Sequence, residues 1–241
     1  MYLQVCGGIG NRLRALVSGI CWAEDLGRRL IVMWWQDNSC RCAFDKLFDS
    51  SGWPSWVEIR AGCLDGEVPV CLQSDEFVAA GYPLAFKSYG HFHSSDPQRW
   101  LRYLRALRPV ASIQARVDSL PREGLLGIHI RRGDNYKAAE DSPISAYLYE
   151  IWKHYQGAGH YVIATDCSEA QFVFLRLFQW RCIFPAHNIH RYSEQGIYEA
   201  VVDFFSLARC PVILGSAHSS FTDMAAAYGG AVLKIIREKQ T

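Results

Sequence analysis

Basic side chains stand at the end of an apolar run in the middle of this sequence. Leu125 to Ile130 is predicted to be a buried strand, and the chain continues into Arg131 and Arg132. Because alternate residues of a strand share a face, His129 and Arg131 are expected to project together. A planar guanidinium binds phosphate through paired hydrogen bonds, so this strand end predicts an anion site. A structural ion pair between an arginine and Asp134 is the alternative.

A second apolar run ends in an acid at Asp166, within the stretch "VIATD". A carboxylate at this position can bind sugar hydroxyls or orient an arginine, and it can equally stabilise its own loop. Ser168 and Gln171 follow with the spacing of a capping box, which predicts that a helix begins there.

Small hydroxyl residues follow a third predicted strand, which ends at Leu214. A helix is predicted to start at Ser219 or Ser220, where Ser220 and Asp223 have capping-box spacing, and the glycines 229–230 close it. The unpaired N–H groups of such a helix start can hold a phosphate. An ordinary capped helix without a ligand is the alternative.

The N-terminal stretch "CGGIGNRLRAL" is similar to a dinucleotide-binding loop but lacks parts of that loop's sequence pattern. Gly8 and Gly10 are followed by Leu13 where the third glycine belongs, and no acid directly follows the second strand. A Walker A lysine is also missing. The loop therefore predicts a close approach of the backbone to some ligand, without defining a nucleotide.

The surrounding pattern predicts the elements that position these residues. The stretch 1–35 has a strand–helix–strand pattern, and strands alternate with helices from residue 124 onward. Such alternation predicts an α/β protein with parallel sheets, which bind ligands at the carboxyl ends of their strands. The stretch 36–95 has short apolar pieces and predicts a small, irregular N-terminal half. We therefore expect an N-terminal domain over 1–108 and a C-terminal domain over 109–241.

Composition limits the class of protein. The 241 residues are 50% hydrophobic with a net charge of +1, which argues against bulk nucleic-acid binding. The longest apolar runs have the length of strands, so no membrane segment is predicted. The chain opens directly on a strand without a signal peptide, and its nine cysteines lack framework spacing. We expect a cytoplasmic protein, or a soluble catalytic domain trimmed from a longer one.

Metal-binding patterns are weak in this sequence. The pairs His91-x-His93 and Cys40-x-Cys42 have no partners at the spacing of known metal sites. We therefore predict no metal site and no metal cofactor.

Taken in order, the segments "GGIGNR", "HIRRGD", "ATD" and "FFSLARCPVILGSAHSSF" resemble the GDP-fucose-dependent fucosyltransferases, the α1,2-, α1,6- and protein O-fucosyltransferase superfamily. The resemblance covers 1–35 and about 105–232. It implies a GT-B-like fold, in which two Rossmann-like halves face a cleft and the C-terminal half holds the donor.

The resemblance also implies roles for individual residues. Arg131 would bind the β-phosphate of the donor, and Asp203 would contact the guanine. The positions that match donor- or nucleotide-binding residues are Gly8, Asn11, His129, Arg131, Asp166, Asp203, His218, Ser219, Ser220 and Phe221. The α1,6 members carry a catalytic Glu where this chain has Ala138 or Ala139, so Glu140 and Asp141 are the nearest candidate bases.

The sequence thus predicts an inverting, metal-independent glycosyltransferase that moves L-fucose from GDP-fucose to an oligosaccharide or glycan acceptor. Arg131 and a helix N-terminus can stabilise the leaving diphosphate without a cation. Three alternatives stay open at this point. They are the same fold with another donor, such as UDP-xylose, a nucleotide-sugar-binding module without activity, and a purely structural α/β domain.

Overall fold

Two parallel β-sheets organise the chain, one in each of two compact units. The computed structural model describes residues 1–72, 85–93, 96–133, 135–190 and 192–238. The first unit comprises Met1–Val110 with Tyr192–Ile197, and the second comprises Ala111–Arg191 with Tyr198–Thr241. The sequence places a single boundary near residue 108. It has no signal for the excursion at 192–197, because part of that segment belongs to a continuous helix.

The first unit contains a four-stranded parallel sheet in the order β4-β2-β1-β5. Its strands are β1 (Tyr2–Val5), β2 (Leu30–Trp34), β4 (Val57–Ala61) and β5 (Ala85–Ser88). Two short strands, β3 (Phe48–Asp49) and β6 (Arg108–Pro109), pair antiparallel. The α-helices among its described residues are α1 (Ile9–Asp25) and α2 (Pro97–Ala106).

This unit confirms the predicted strand–helix–strand pattern and corrects the irregular middle segment. Gly27 has a positive φ of 60° just after α1, which suits a helix end. The stretch 36–95 supplies both edge strands of the sheet, β4 and β5. Because those strands are short and partly exposed, they lack the continuous apolar runs that would have identified them.

The second unit contains a five-stranded parallel sheet in the order β11-β10-β7-β8-β9. Its strands are β7 (Leu125–Ile130), β8 (His160–Thr165), β9 (Cys182–Ile183), β10 (Val212–Ser216) and β11 (Val232–Ile236). Its helices are α3 (Ala111–Asp118), α4 (Tyr136–Asp141), α5 (Ile144–His154), α6 (Ser168–Phe178), α7 (Glu194–Ala208) and α8 (Ser220–Gly229). The first turn of α7 is grouped with the first unit.

Both faces of the second sheet are covered, as the buried character of β7 predicts. Ile128 and Ile130 pack with residues of α5 and α6 on one face. On the other face, a Cβ added at Gly127 would approach the side chain of Leu207 in α7 to 3.2 Å. Glycine at this position therefore lets α7 lie close to the central strand.

The strand register aligns three carboxyl ends at one edge of this sheet. His129 of β7 pairs with Ala164 of β8 on one side and with Gly215 of β10 on the other. The residues that leave these strands therefore emerge together. The central strand β7 lies between its two neighbours at this edge, which is where open α/β sheets bind ligands.

The predicted start of α8 at Ser219 or Ser220 is confirmed, but two predicted capping residues are wrong. Cys167, not Ser168, precedes α6, and its side chain makes no capping bond. Ser219, not Ser220, caps α8, because its Oγ accepts the N–H of Thr222. At the start of α2, the side chain of Asp96 accepts the N–H of Gln98. The capping-box spacing alone could not distinguish adjacent serines, since either register places a polar residue three positions later.

The predicted end of α8 is confirmed. Gly229 is its last residue, and Gly230 follows in the left-handed region with a φ of 74°. No helix in the described parts of the chain is long and apolar enough to span a membrane.

Candidate functional site

Asp166 bridges the two arginines at the end of β7. Its Oδ2 accepts a hydrogen bond from Nη1 of Arg131 at 3.0 Å, and its Oδ1 accepts the backbone N–H of Arg132 at 2.7 Å. The Arg131 side chain keeps 19% of its surface exposed, so a ligand can reach it. The predicted alternative partner, Asp134, lies outside the described residues. The described arginine–acid pair joins the ends of two neighbouring strands.

Arg132 points to the other side and makes structural contacts. Its Nη1 donates to the carbonyl of Ala139 at 3.0 Å, and its Nη2 donates to the carbonyl of Ser142 at 2.7 Å. These carbonyls lie at the end of α4, where the helix leaves acceptors without intrahelical partners. Arg132 therefore holds α4 against the end of β7.

Hydroxyl groups that the sequence pattern does not reveal fix the backbone where β7 ends. Ser216 Oγ accepts the backbone N–H of Arg131 at 2.8 Å and lies 2.8 Å from the hydroxyl of Tyr147. Tyr147 in turn donates to the carbonyl of His129 at 2.9 Å. Ser142 makes a similar connection, donating to the carbonyl of Ile236 at 2.6 Å. In the sequence, the only local indication of this network was a serine at the last position of β10.

His129 is a buried, neutral side chain. Its Nδ1 lies 2.5 Å from Oγ1 of Thr222, and its ring lies 5.0 Å from the ring of Phe221. Burial, with a further contribution from the charge of Arg131, lowers the pKa of His129 to about 3. When Thr222 donates to Nδ1, the ring proton is on Nε2, which can donate to a ligand. His129 is thus suited to hydrogen bonding rather than to proton abstraction.

The first turn of α8 offers N–H groups next to His129. Ser219 is buried and caps the helix, with its Oγ 3.5 Å from the N–H of Thr222. Within the described residues, no hydrogen bond occupies the N–H groups of Ser220 and Phe221. Helix N-termini carry partial positive charge and bind anions through such groups.

His218, on the loop before α8, pairs with the acid at the end of α4. His218 has a positive φ of 56°, which is uncommon for a residue with a side chain. Its carbonyl accepts from Nδ2 of Asn135 at 3.2 Å, and its Nε2 lies 2.7 Å from Oδ2 of Asp141. Glu140, the other candidate base, is exposed and makes no hydrogen bond within the described residues. Of the two acids, only Asp141 is brought to this loop.

Asp203 is buried on α7 beside the loop that follows β9. Its Oδ1 accepts the N–H of Ala186 at 3.0 Å, the one hydrogen bond it makes among the described residues. Burial raises its pKa well above the usual value, and Glu199 adds to this, while the Ala186 bond and Arg116 oppose it. Glu199 binds Arg116 at 2.9 and 2.8 Å and accepts the N–H of His187, which fixes the loop.

Gly8 and Asn11 lie in the first unit, apart from the other predicted site residues, which all belong to the second. Gly8 is the N-cap of α1, and Asn11 is half-buried in its first turn. Gly7 has a φ of 78°, and the neighbouring Arg12 donates to its carbonyl at 2.7 Å. The positive φ explains the need for glycine in this loop.

Solved structures share this fold. The α-1,6-fucosyltransferase NodZ of Bradyrhizobium, co-crystallised with GDP, is 19% identical, with a TM-score of 0.65 over 93% of this chain and 91% of that one. POFUT1 in complex with GDP is 10% identical, with a TM-score of 0.60 over 98% of each chain.

A variant of Arabidopsis thaliana FUT1 in complex with GDP is 13% identical, with a TM-score of 0.65 over 97% of this chain and 69% of that one. No protein-family model matches the chain, and no curated protein sequence is significantly similar. At these identities the likeness establishes a shared fold, that of the GT-B fucosyltransferases.

Arg132→Ala should destabilise the protein without touching the anion site. It removes two hydrogen bonds from a charged donor to carbonyls at the end of α4, and such bonds are each worth about 1.5–3 kcal/mol. Chemical denaturation should show a clear loss of unfolding free energy. Arg122→Ala is the control, because Arg122 is exposed and makes no hydrogen bond within the described residues. Equal stability of the two variants would contradict the structural role.

Proposed function

We propose that this chain, which has the fold of the fucosyltransferases, transfers L-fucose from GDP-fucose to a hydroxyl group of a glycan acceptor with inversion. The proposal rests on the groups gathered at the carboxyl edge of the second sheet. There, a guanidinium held by Asp166, the neutral imidazole of His129 and the N-terminus of α8 all present hydrogen-bond donors. Such a set suits a ligand with several anionic oxygens, as a nucleoside diphosphate has.

The ligands of the similar structures support the choice of donor. NodZ was soaked with GDP-fucose in one structure, and POFUT1 is in complex with GDP-fucose in another. In this chain the positions proposed to bind the donor diphosphate, Arg131 and Ser219 to Phe221, lie at the end of β7 and at the start of α8. The donor-binding roles predicted for Gly8 and Asn11 stay a proposal.

The diphosphate is the leaving group, and its charge is the main chemical problem of the reaction. As the bond from fucose C1 to the β-phosphate oxygen breaks, the bonding electrons move onto that oxygen. Arg131 and the N–H groups of Ser220 and Phe221 can stabilise the charge where it develops. We therefore propose that no metal ion or other cofactor takes part in the transfer.

Asp203 is proposed to read the base. A carboxylate accepts paired hydrogen bonds from the ring N–H and the amino group of guanine, whereas uracil offers one N–H donor. In the described structure the Ala186 N–H occupies Oδ1, and Oδ2 makes no hydrogen bond. Burial makes the charged acid costly until a ligand donates to it, because the nearby Arg116 is already paired with Glu199. This favours a GDP-sugar over a UDP-sugar.

Asp203→Ala should weaken GDP binding by about 1.5–3 kcal/mol, the range for hydrogen bonds to charged groups. GDP binding should also depend on pH. Because the pKa of Asp203 is raised, the acid holds its proton at a pH where an ordinary aspartate is charged. Guanine requires the charged form, so GDP affinity should rise with pH through that raised pKa and fall as the pH is lowered.

Titration calorimetry at several pH values measures both effects. Asp203→Asn is the control for titration of the GDP phosphates, because an amide has no proton to lose. The pH dependence that the wild type shows beyond this variant belongs to Asp203. An unchanged GDP dissociation constant in well-folded Asp203→Ala would assign the acid to the interior packing of α7 instead.

Arg131→Ala should nearly abolish transfer while the protein still folds. The loss of one preorganised donor at a developing oxyanion costs about 10²–10³ in kcat. Arg131→Lys should restore little, because an ammonium group cannot reproduce the paired geometry. Steady-state kinetics measures the loss of kcat, and thermal unfolding in parallel checks that each variant still folds. Retention of more than about a tenth of wild-type kcat, far above that loss, would make the charge at this strand end structural.

The acceptor hydroxyl also has to lose a proton, and His218 is proposed to take it. The carboxylate of Asp141 holds the Nε2–H of His218 at 2.7 Å, which leaves the Nδ1 lone pair as the proton acceptor. Within the described residues, Nδ1 makes no hydrogen bond. Asp141 then orients the base rather than acting as one itself, as an acid does for histidine in other enzymes.

His218→Asn should lower kcat by about 10²-fold or more, the contribution of a general base, and leave the GDP dissociation constant unchanged. Asparagine also tolerates the left-handed backbone, so the loop is kept. Asp141→Asn should act in the same direction, while Glu140→Gln is the matched control and should keep wild-type turnover. A loss confined to Glu140→Gln would move the base to that residue. A parallel loss of GDP affinity in His218→Asn would make His218 a donor ligand.

A further inference from the structure

A buried ion pair lies next to Asp203 in the second unit. Glu199 is on α7, four residues before Asp203, and only 2% of its surface is accessible. Arg116 of α3 donates to both of its carboxylate oxygens, at 2.9 and 2.8 Å. Taking two charges out of water is costly, and an apolar pair of similar volume is often as stable. Stability alone is therefore a weak reason for this pair.

The pair holds the loop after β9 at two points. Nη2 of Arg116 donates to the carbonyl of Pro185 as well as to Glu199. Oε2 of Glu199 accepts the N–H of His187 at 2.9 Å. One guanidinium and one carboxylate thus fix both ends of the three-residue segment 185–187.

The middle residue of that segment contacts the acid that is proposed to bind the base. The N–H of Ala186 donates to Oδ1 of Asp203 at 3.0 Å, and Oδ2 makes no hydrogen bond within the described residues. A base that donates to Oδ2 must therefore fit against the segment 185–187. The position of this segment then decides which bases can approach the acid.

The same pair places two opposite charges near Asp203. Burial is the main reason that the pKa of Asp203 is raised, and Glu199 raises it further, whereas the Ala186 N–H and Arg116 lower it. Glu199 and Asp203 lie on one face of α7, because side chains four residues apart are neighbours on a helix. Among the described residues, Glu199 and Arg116 are the charged side chains that act on Asp203.

We propose that Arg116 and Glu199 are positioning residues for base recognition, acting through the segment 185–187 and through Asp203 rather than on the nucleotide itself. Their hydrogen bonds fix the segment against which the base fits. Their charges set the pH range in which Asp203 is ionised and can accept from guanine. The inference rests on the proposed function, because that function assigns the guanine to Asp203.

Glu199→Gln tests the role of the charge. The amide keeps an oxygen that can accept the His187 N–H, but it removes the negative charge near Asp203. The pKa of Asp203 should therefore fall by about one unit, as expected for the loss of a nearby like charge. The rise of GDP affinity with pH should move down by the same amount. Below the wild-type pKa, the variant should bind GDP about tenfold more tightly than the wild type at the same pH.

Arg116→Lys tests the role of the geometry. Lysine keeps the positive charge, but one ammonium group cannot reproduce the fork that reaches Glu199 and the Pro185 carbonyl together. GDP should bind about tenfold more weakly at every pH, because hydrogen bonds from a charged donor that hold the segment are lost. The preference for GDP over UDP should fall, and the midpoint of the pH profile should stay where it is in the wild type.

Titration calorimetry with GDP and UDP over a range of pH measures these affinities. Carbon-13 NMR titration of the Asp203 carboxyl group in the GDP-free protein measures its pKa directly, with Asp203→Asn assigning the signal. Glu169→Gln and Arg122→Lys are the matched controls, because they make the same substitutions at exposed positions of the second unit. Both should bind GDP as the wild type does.

Both test substitutions are conservative, because removing one partner of a buried pair outright is strongly destabilising. Either variant tests the inference by itself if the other does not fold. A wild-type chain that binds no GDP would overturn the proposed function and this inference with it. If the wild type binds GDP, an unchanged pKa of Asp203 in Glu199→Gln would overturn this inference alone. Wild-type GDP affinity and selectivity in Arg116→Lys would do the same.

Discussion

The bridge formed by Asp166 is the interaction on which the rest of the site depends. One carboxylate joins the side chain of Arg131 to the backbone of Arg132, and so connects the ends of β7 and β8. Because a carboxylate oxygen satisfies each partner, the charge of Arg131 is partly compensated without being buried. The guanidinium is thereby held at the end of β7. Without the bridge, a long arginine side chain at a strand end would sample many rotamers.

The neighbouring groups are held in states that isolated side chains would not adopt. His129 is neutral because it is buried next to a cation, and the pKa of Asp203 is raised because its carboxyl group is buried. His218 keeps a left-handed backbone that the side chain of Asn135 supports. Costs of this kind concentrate where a protein binds or transforms a ligand.

The sequence predicted those parts of the structure that follow from local pattern. The buried run of β7, the alternation of strands and helices, and the position of Asp166 at a strand end were all readable, because periodicity and chain order determine them. The network of Ser216, Tyr147 and Ser142 was not readable, because its partners are far apart in the chain and unremarkable one by one. The capping residues of α6 and α8 were predicted wrongly for a different reason. Neighbouring polar residues can each occupy the capping position, and the sequence spacing does not distinguish them.

The edge strands of the first sheet were also not predicted from the sequence. Strands β4 and β5 are short and partly exposed, so they give no long apolar run, and residues 73–84 between them lie outside the described structure. Asp203 is an intermediate case. Its position was matched through the family resemblance, but its burial and its contact with Ala186 required the fold. Chemistry at strand ends is thus visible in a sequence, whereas the groups that support it are visible only in three dimensions.

The central claim is that the second unit binds a guanine nucleoside diphosphate without a metal ion. Thermal unfolding in the presence of EDTA, with GDP and UDP at equal concentrations, tests it most directly. GDP at about a hundred times its dissociation constant should stabilise the folded protein by about 2.7 kcal/mol, and UDP should stabilise it much less. Equal stabilisation by both nucleotides, stabilisation by neither, or an effect of GDP that requires added Mn²⁺ would contradict the account.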